Sequence, residues 1–114
     1  MLLMTQEIRK RIPKLYAQEK LGGEAIVHVK FFTPDSSWTW YATEFDGENE
    51  FFGLVTDGGQ FPELGYFYLS ELETARGPLG LKIERDMYFK PKPLSALADC
   101  PDWLKNIQLE EMAA

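Results

Sequence analysis

Ser37-Trp38-Thr39-Trp40-Tyr41-Ala42-Thr43-Glu44-Phe45, followed at once by Asp46-Gly47, decides the fold. The run is rich in aromatic and β-branched residues, which favour a pleated strand. With a period of two, Trp38, Trp40 and Ala42 share one face, and Thr39, Tyr41, Thr43 and Phe45 share the other. Asp-Gly is a strong hairpin signal, because the tight turn needs positive φ values that few other residues tolerate. Downstream, Glu50–Thr56 returns as a strand, Asp57-Gly58-Gly59 closes it, and Gly65–Leu69 follows Phe61-Pro62 as another. Upstream, Ala25–Phe32 reads as a strand that Thr33-Pro34-Asp35-Ser36 turns into Ser37–Phe45. Every connection is short, so strands at about 25–32, 37–46, 50–56 and 65–69 make an antiparallel meander.

On either side the period lengthens. Thr5 is an N-cap and Glu7 sits in the first turn, after which Ile8, Ile12, Leu15 and Tyr16 fall on one helical face. Pro13 should kink this helix or start it afresh, and Gly22-Gly23 ends it. Ser70-Glu71-Leu72-Glu73 has the form of a capping box for a short helix that Gly77-Pro78 stops. Leu81–Phe89 is a candidate fifth strand, Lys90-Pro91-Lys92-Pro93 a crossing or linker, and 102–112 a tail helix with Trp103, Leu104 and Ile107 on its apolar side. The fold class is therefore α+β: a four- or five-stranded, mostly antiparallel meander sheet, an N-terminal helix packed on one face, and short C-terminal helices. Val27, Val29, Phe31, Leu54, Phe67 and Leu69 are the expected core, covered by Ile8, Ile12 and Leu15.

The chain has 114 residues and fits one domain, 1–114, with a body at about 3–95 and a C-terminal extension over 96–114. Hydrophobic residues make up 45% of it, and no run approaches the length of a membrane span. With no secretory leader pattern, the cytosol is the expected location. A single cysteine excludes an internal disulfide. The net charge is −6, unevenly spread: residues 31–75 hold nine acids and no base. Such a middle repels phosphate backbones and attracts basic surfaces, so a basic protein partner is expected, and neither direct nucleic-acid binding nor membrane binding is.

Twelve of the sixteen aromatics lie between Phe31 and Tyr68, interleaved with those acids. A packed sheet accounts for most of them. Any of Trp38, Trp40, Tyr41, Tyr66 or Tyr68 left exposed would form a binding surface with Glu44, Asp46, Glu48, Glu50 and Asp57 around it. Asp46, Glu48 and Glu50 alternate around the hairpin turn, but a calcium loop needs more oxygen ligands at a fixed spacing, and no metal or cofactor is expected. His28, the only histidine, has no nucleophile motif to serve. Cys100 lies between Asp99 and Asp102, which disfavour its thiolate. Gly77-Pro78-Leu79-Gly80 lacks the Lys-Ser/Thr sequel of a phosphate loop.

Phe31-Phe32-Thr33-Pro34-Asp35-Ser36-Ser37-Trp38-Thr39-Trp40-Tyr41-Ala42-Thr43-Glu44-Phe45-Asp46-Gly47 resembles a family of small prokaryotic proteins, a domain of unknown function often carried on plasmids and other mobile elements. Phe51-Phe52-Gly53, Glu63-Leu64-Gly65-Tyr66-Phe67, Ser70-Glu71-Leu72, Arg76-Gly77-Pro78-Leu79-Gly80 and the stretch from Glu84 to Phe89 carry the same resemblance, over roughly residues 3–95. It implies a context, the accessory genes of mobile elements, and no site residue. Three functions follow: a non-enzymatic acidic interaction protein, in its specific form an inhibitor occupying a basic, nucleic-acid-binding site on a host defence protein; a metal-dependent hydrolase using Glu44, Asp46 and Glu50; or a small-molecule or peptide binder with an aromatic cleft.

Overall fold

A computed structural model describes residues 2–105. Its centre is a five-stranded antiparallel sheet in the order β5-β4-β3-β2-β6. These strands are β2 (Val29–Phe32), β3 (Thr39–Phe45), β4 (Glu50–Thr56), β5 (Glu63–Tyr68) and β6 (Glu84–Arg85). The meander expected from the short turns is present, each strand pairing with its neighbour in sequence from β2 to β5. The expected first strand is split at His28: β1 (Ile26–Val27) leaves the main sheet to pair with β7 (Lys92–Pro93). The Lys-Pro segment is thus partly strand, and proline is tolerated there because the pairing is only two residues long. Of the candidate strand over 81–89, only Glu84–Arg85 pairs with β2.

The helices are shorter than their patterns suggest. Thr5 caps α1 (Gln6–Arg11) by accepting the N–H of Ile8 at 3.1 Å. Pro13 ends it, because the residue before a proline is driven out of the helical region, and Ile12 is extended. Helical geometry returns only as 3₁₀ turns over Glu19–Glu24. A second helix, α2 (Leu69–Thr74), begins directly after β5 with Tyr68 rather than Ser70 at its N-cap position. Asn49 makes a Ser70 cap unnecessary: its Oδ1 accepts the Ser70 N–H at 2.8 Å and its carbonyl accepts that of Leu69 at 2.8 Å. Further on, α3 (Asp102–Lys105) carries a buried Leu104 and a half-exposed Trp103. Residues 106–112 of the expected tail helix, Ile107 among them, lie outside the described residues.

The sheet is packed on both faces. Val29, Phe31, Ala42, Phe45, Phe51 and Phe67 form the first buried cluster with Ile8 and Ile12. Phe51 is its hub, with ring centroids 4.4 Å from Phe45, 5.2 Å from Phe67 and 5.5 Å from Phe31. Burying one such ring stabilises by about 1.5–3 kcal/mol. The second face holds Val27, Tyr41 and Leu54 with Leu94, Leu97 and Leu104, so the segment after residue 96 contributes Leu97 and Leu104 to the core. All six expected core residues are buried, in two clusters rather than one, and Leu15 is only half-buried.

A β-bulge between Ala42 and Glu44 corrects the simple alternation along β3. Ala42 faces Gly53, but the next pair is Glu44 with Phe52, so Thr43 is an extra residue. Past it the faces swap: Phe45 joins the first cluster, and Glu44 turns to the second face. Among the described residues no helix is long and apolar enough to cross a membrane.

Candidate functional site

β2 pairs with β3 only as far as Ala42, and beyond it the segment after Pro13 takes up backbone groups of β3. Phe45 N–H donates to the Pro13 carbonyl at 2.9 Å, and the Gln18 side-chain amide donates to the Thr43 carbonyl at 2.8 Å. The same amide reaches the Ile26 carbonyl at 2.9 Å, while its oxygen accepts the Ile26 N–H at 2.6 Å. Glu44, turned inward, accepts the N–H groups of Tyr16 at 2.8 Å and Gln18 at 2.7 Å. Both side chains are buried, and among the described residues the carboxylate is met by hydrogen bonds rather than by a cation.

This clamp holds Tyr16 at φ 71°, a left-handed conformation that costs an aromatic residue about 1–3 kcal/mol. The result is a tyrosine standing out from the surface, 61% exposed, beside the half-exposed Tyr66 of β5. Their hydroxyls are 3.5 Å apart, and that contact pushes the Tyr66 phenol up to about 12. Next along β5, the Tyr68 hydroxyl donates to Glu50 Oε2 at 3.2 Å, and the charge of Glu50 pushes its pKa up as well. Between Tyr16, Phe52, Leu64, Tyr66 and Trp103 lies a cleft of about 320 Å³ with Glu44 in its wall. Predominantly apolar concavities with a few converging polar groups are the usual form of a binding site.

The expected site residues are dispersed. Trp38 is exposed and stacks on the half-buried Trp40, with ring centroids 5.9 Å apart. Tyr41 and Glu44 are interior, which removes both from any outer surface. The Tyr41 hydroxyl donates to Asp99 at 2.5 Å, and burial first, then that bond, pushes its pKa up. Asp46, Glu48 and Glu50 do cluster, at the β3–β4 turn. Slight desolvation acts against ionisation of Asp46, but the N–H groups of Glu48, Asn49 and Glu50 at 2.8, 2.8 and 3.0 Å hold its carboxyl below the usual range. Arg9 approaches the same turn, donating to the Gly47 carbonyl at 3.2 Å. Asp57 lies at the opposite end of the hairpin, where Ser37 donates to its carbonyl. The acids therefore form no single surface: the larger group sits at the Asp46 end, and Glu71 of α2 acts on Tyr68 from nearby.

His28 has its ionisation lowered by burial and by Arg11, and among the described residues its Nδ1 meets no partner. Burial pushes the pKa of the Cys100 thiol up, against the thiolate. No group of three or more His, Cys, Asp or Glu able to hold a metal ion occurs among the described residues, so Glu44, Asp46 and Glu50 do not converge as a metal centre would require. Tyr16 and Trp103 were expected on apolar helical faces rather than at a site, Tyr16 instead standing exposed beyond the end of the helix, and Gln18, Phe52 and Leu64 were not singled out as site residues. The one sign available was Pro13, which ends the helix before Tyr16 and so frees that segment to cross the sheet.

The family model described as "Protein of unknown function (DUF2958)" matches residues 3–108, and the chain belongs to that family. The match runs past residue 95 and takes in the buried Leu97 and Leu104. Comparison with the curated proteins and with the solved structures gives no match.

Proposed function

We propose that the protein acts by binding rather than catalysis, taking a basic segment of a protein partner onto the face formed by Tyr16, Tyr66 and Tyr68. The observation that carries this reading is the pairing of exposed tyrosine rings with carboxylate: Tyr68 bonded to Glu50, and Tyr66 standing between Tyr68 and Tyr16 at the mouth of the cleft. A lysine or arginine there gains a ring face and an anion together, and the adjoining cleft accepts an apolar neighbour. The specific form of the proposal is inhibition, the acidic tyrosine face occupying a nucleic-acid-binding site on a host defence protein. The charge distribution and the resemblance to proteins of mobile elements support that form.

Charge-steered association weakens as salt rises. The test is binding of a lysine-rich peptide followed by fluorescence anisotropy across a salt series, with the wild type and with Glu48→Lys/Glu50→Lys. Affinity that falls with salt and with the substitutions supports the proposal; affinity indifferent to both overturns it. Binding of bare DNA or RNA at physiological salt also overturns it.

A further inference from the structure

We infer that the partner's segment binds as an added strand along the outer edge of β5. This rests on the reading of the acidic tyrosine face given above and specifies how that face is used. Among the described residues β5 pairs only with β4, which makes it the terminal strand of the sheet. Every second residue of such a strand turns its N–H and C=O outward. Edges of this kind are ordinarily blunted by proline, lysine or a bulge. Glu63-Leu64-Gly65-Tyr66-Phe67-Tyr68 contains neither proline nor lysine, and its pairing with β4 runs without a register shift.

Gly65 points the same way. A glycine within a strand weakens it, and among the described residues no packing requires one here, because a Cβ at that position would meet none of their atoms within 4 Å. What the missing side chain leaves is an unobstructed backbone at the middle of the edge.

The occupant is set by charge. Glu63 lies on β5, Glu50 opposite Tyr68 on β4, and Glu71 on α2, within a stretch that has no lysine or arginine from residue 31 to 75. A second copy paired edge to edge would bring the same acids to meet their like, whereas an extended segment alternating basic and apolar residues would neutralise them. Side chains on one side of that segment would fall beside Leu64 and Tyr66, at the cleft.

The probe is a short peptide alternating lysine and valine, compared with one carrying glutamate for lysine and one N-methylated at alternate backbone amides. Hydrogen exchange is followed at the Glu63–Tyr68 amides. The expected result is roughly tenfold slower exchange at the outward amides of β5 with the lysine peptide, and loss of most of the affinity on N-methylation. Equal, salt-sensitive binding of the methylated and unmethylated lysine peptides with β5 exchange unchanged would overturn the edge inference while leaving the acidic tyrosine face standing. Absence of lysine-peptide binding at low salt, or equal binding of the glutamate peptide, would overturn both. Protection of β5 that grows with protein concentration in the absence of peptide, together with dimers in sedimentation, would overturn the choice of occupant.

Discussion

Oε2 of Glu44 accepts the backbone N–H of Gln18 at 2.7 Å, across twenty-six positions of sequence. The other oxygen holds Tyr16 in the same way at 2.8 Å, so one carboxylate fastens the crossing segment to the bulged strand. Glu44→Ala leaves two backbone donors without an acceptor in an interior site, at a cost of about 1–3 kcal/mol for each such group. Urea unfolding should show a clear loss for Glu44→Ala and a smaller one for Glu44→Gln, which keeps one acceptor. If the clamp also sets Tyr16, the alanine variant should lose the Tyr16–Tyr66 contact, read as a lower alkaline transition of the Tyr66 phenol.

Truncations on the two faces of the sheet should act independently. Phe67 belongs to the first cluster and Leu94 to the second. Phe67→Ala and Leu94→Ala are each expected to cost about 2–5 kcal/mol. Their sum should match the double variant within about 0.5 kcal/mol, as for sites with no shared partners. A large coupling energy in the double-mutant cycle would mean the clusters are not separate.

Two glycines facing each other across β4 and β5 should respond in opposite ways. A Cβ on Gly53 would be driven into the Tyr41 carbonyl, where backbone cannot give way. Gly53→Ala should therefore lower the thermal midpoint strongly. Gly65→Ala meets no atom of the described residues and should leave the midpoint unchanged or raise it slightly.

Asp46 makes part of the hairpin's stability depend on acid. Its folded carboxyl ionises below the ordinary 3.8, so its contribution is complete above that value and fades as the pH falls through the lower folded value. The difference in thermal midpoint between wild type and Asp46→Asn should shrink on acidification. A difference independent of pH would assign the effect to turn geometry alone.

Tyrosine governs the alkaline side. Tyr41 and Tyr66 both ionise above the ordinary 10.0, which means the folded state keeps its protons longer than the unfolded chain. Stability should hold up to about pH 10 and decline from there upward, through about 12 for Tyr66. Tyr41→Phe should flatten the decline, and Tyr16→Phe should let Tyr66 titrate earlier in an ultraviolet absorbance titration.

The strands were legible because alternation and turn chemistry are local: Asp46-Gly47 announces its hairpin within two residues. The bulge was not, since an inserted residue leaves no mark in a run such as Tyr41-Ala42-Thr43-Glu44 until the partner strand is in place. One unforeseen residue then exchanged the destinations of Glu44 and Phe45, and with them a surface acid for an interior clamp. Asp57 and the Asp46 group stand at opposite ends of the hairpin, which breaks the single acidic surface that charge counting suggests. Tyr16 read as part of a helical face, and Gln18 escaped notice because Glu44, which holds both, lies more than twenty positions away, beyond the reach of any periodicity. Cys100 is interior for a similar reason, packing with Val27 and Leu54 rather than with its acidic neighbours.

The packing of Leu94, Leu97 and Leu104 over the second face has a consequence for synthesis on the ribosome. The meander is complete once Tyr68 has emerged, and Ile8 and Ile12 are already at hand for the first face. Tyr41, Leu54 and Leu64 must wait for the last quarter of the chain, bare to solvent and open to chaperones or to one another. A nascent chain stalled at Pro93 should accordingly bind a hydrophobic dye that the released protein does not, and dye binding that is the same for both would show that the late segment is not the cover of that face.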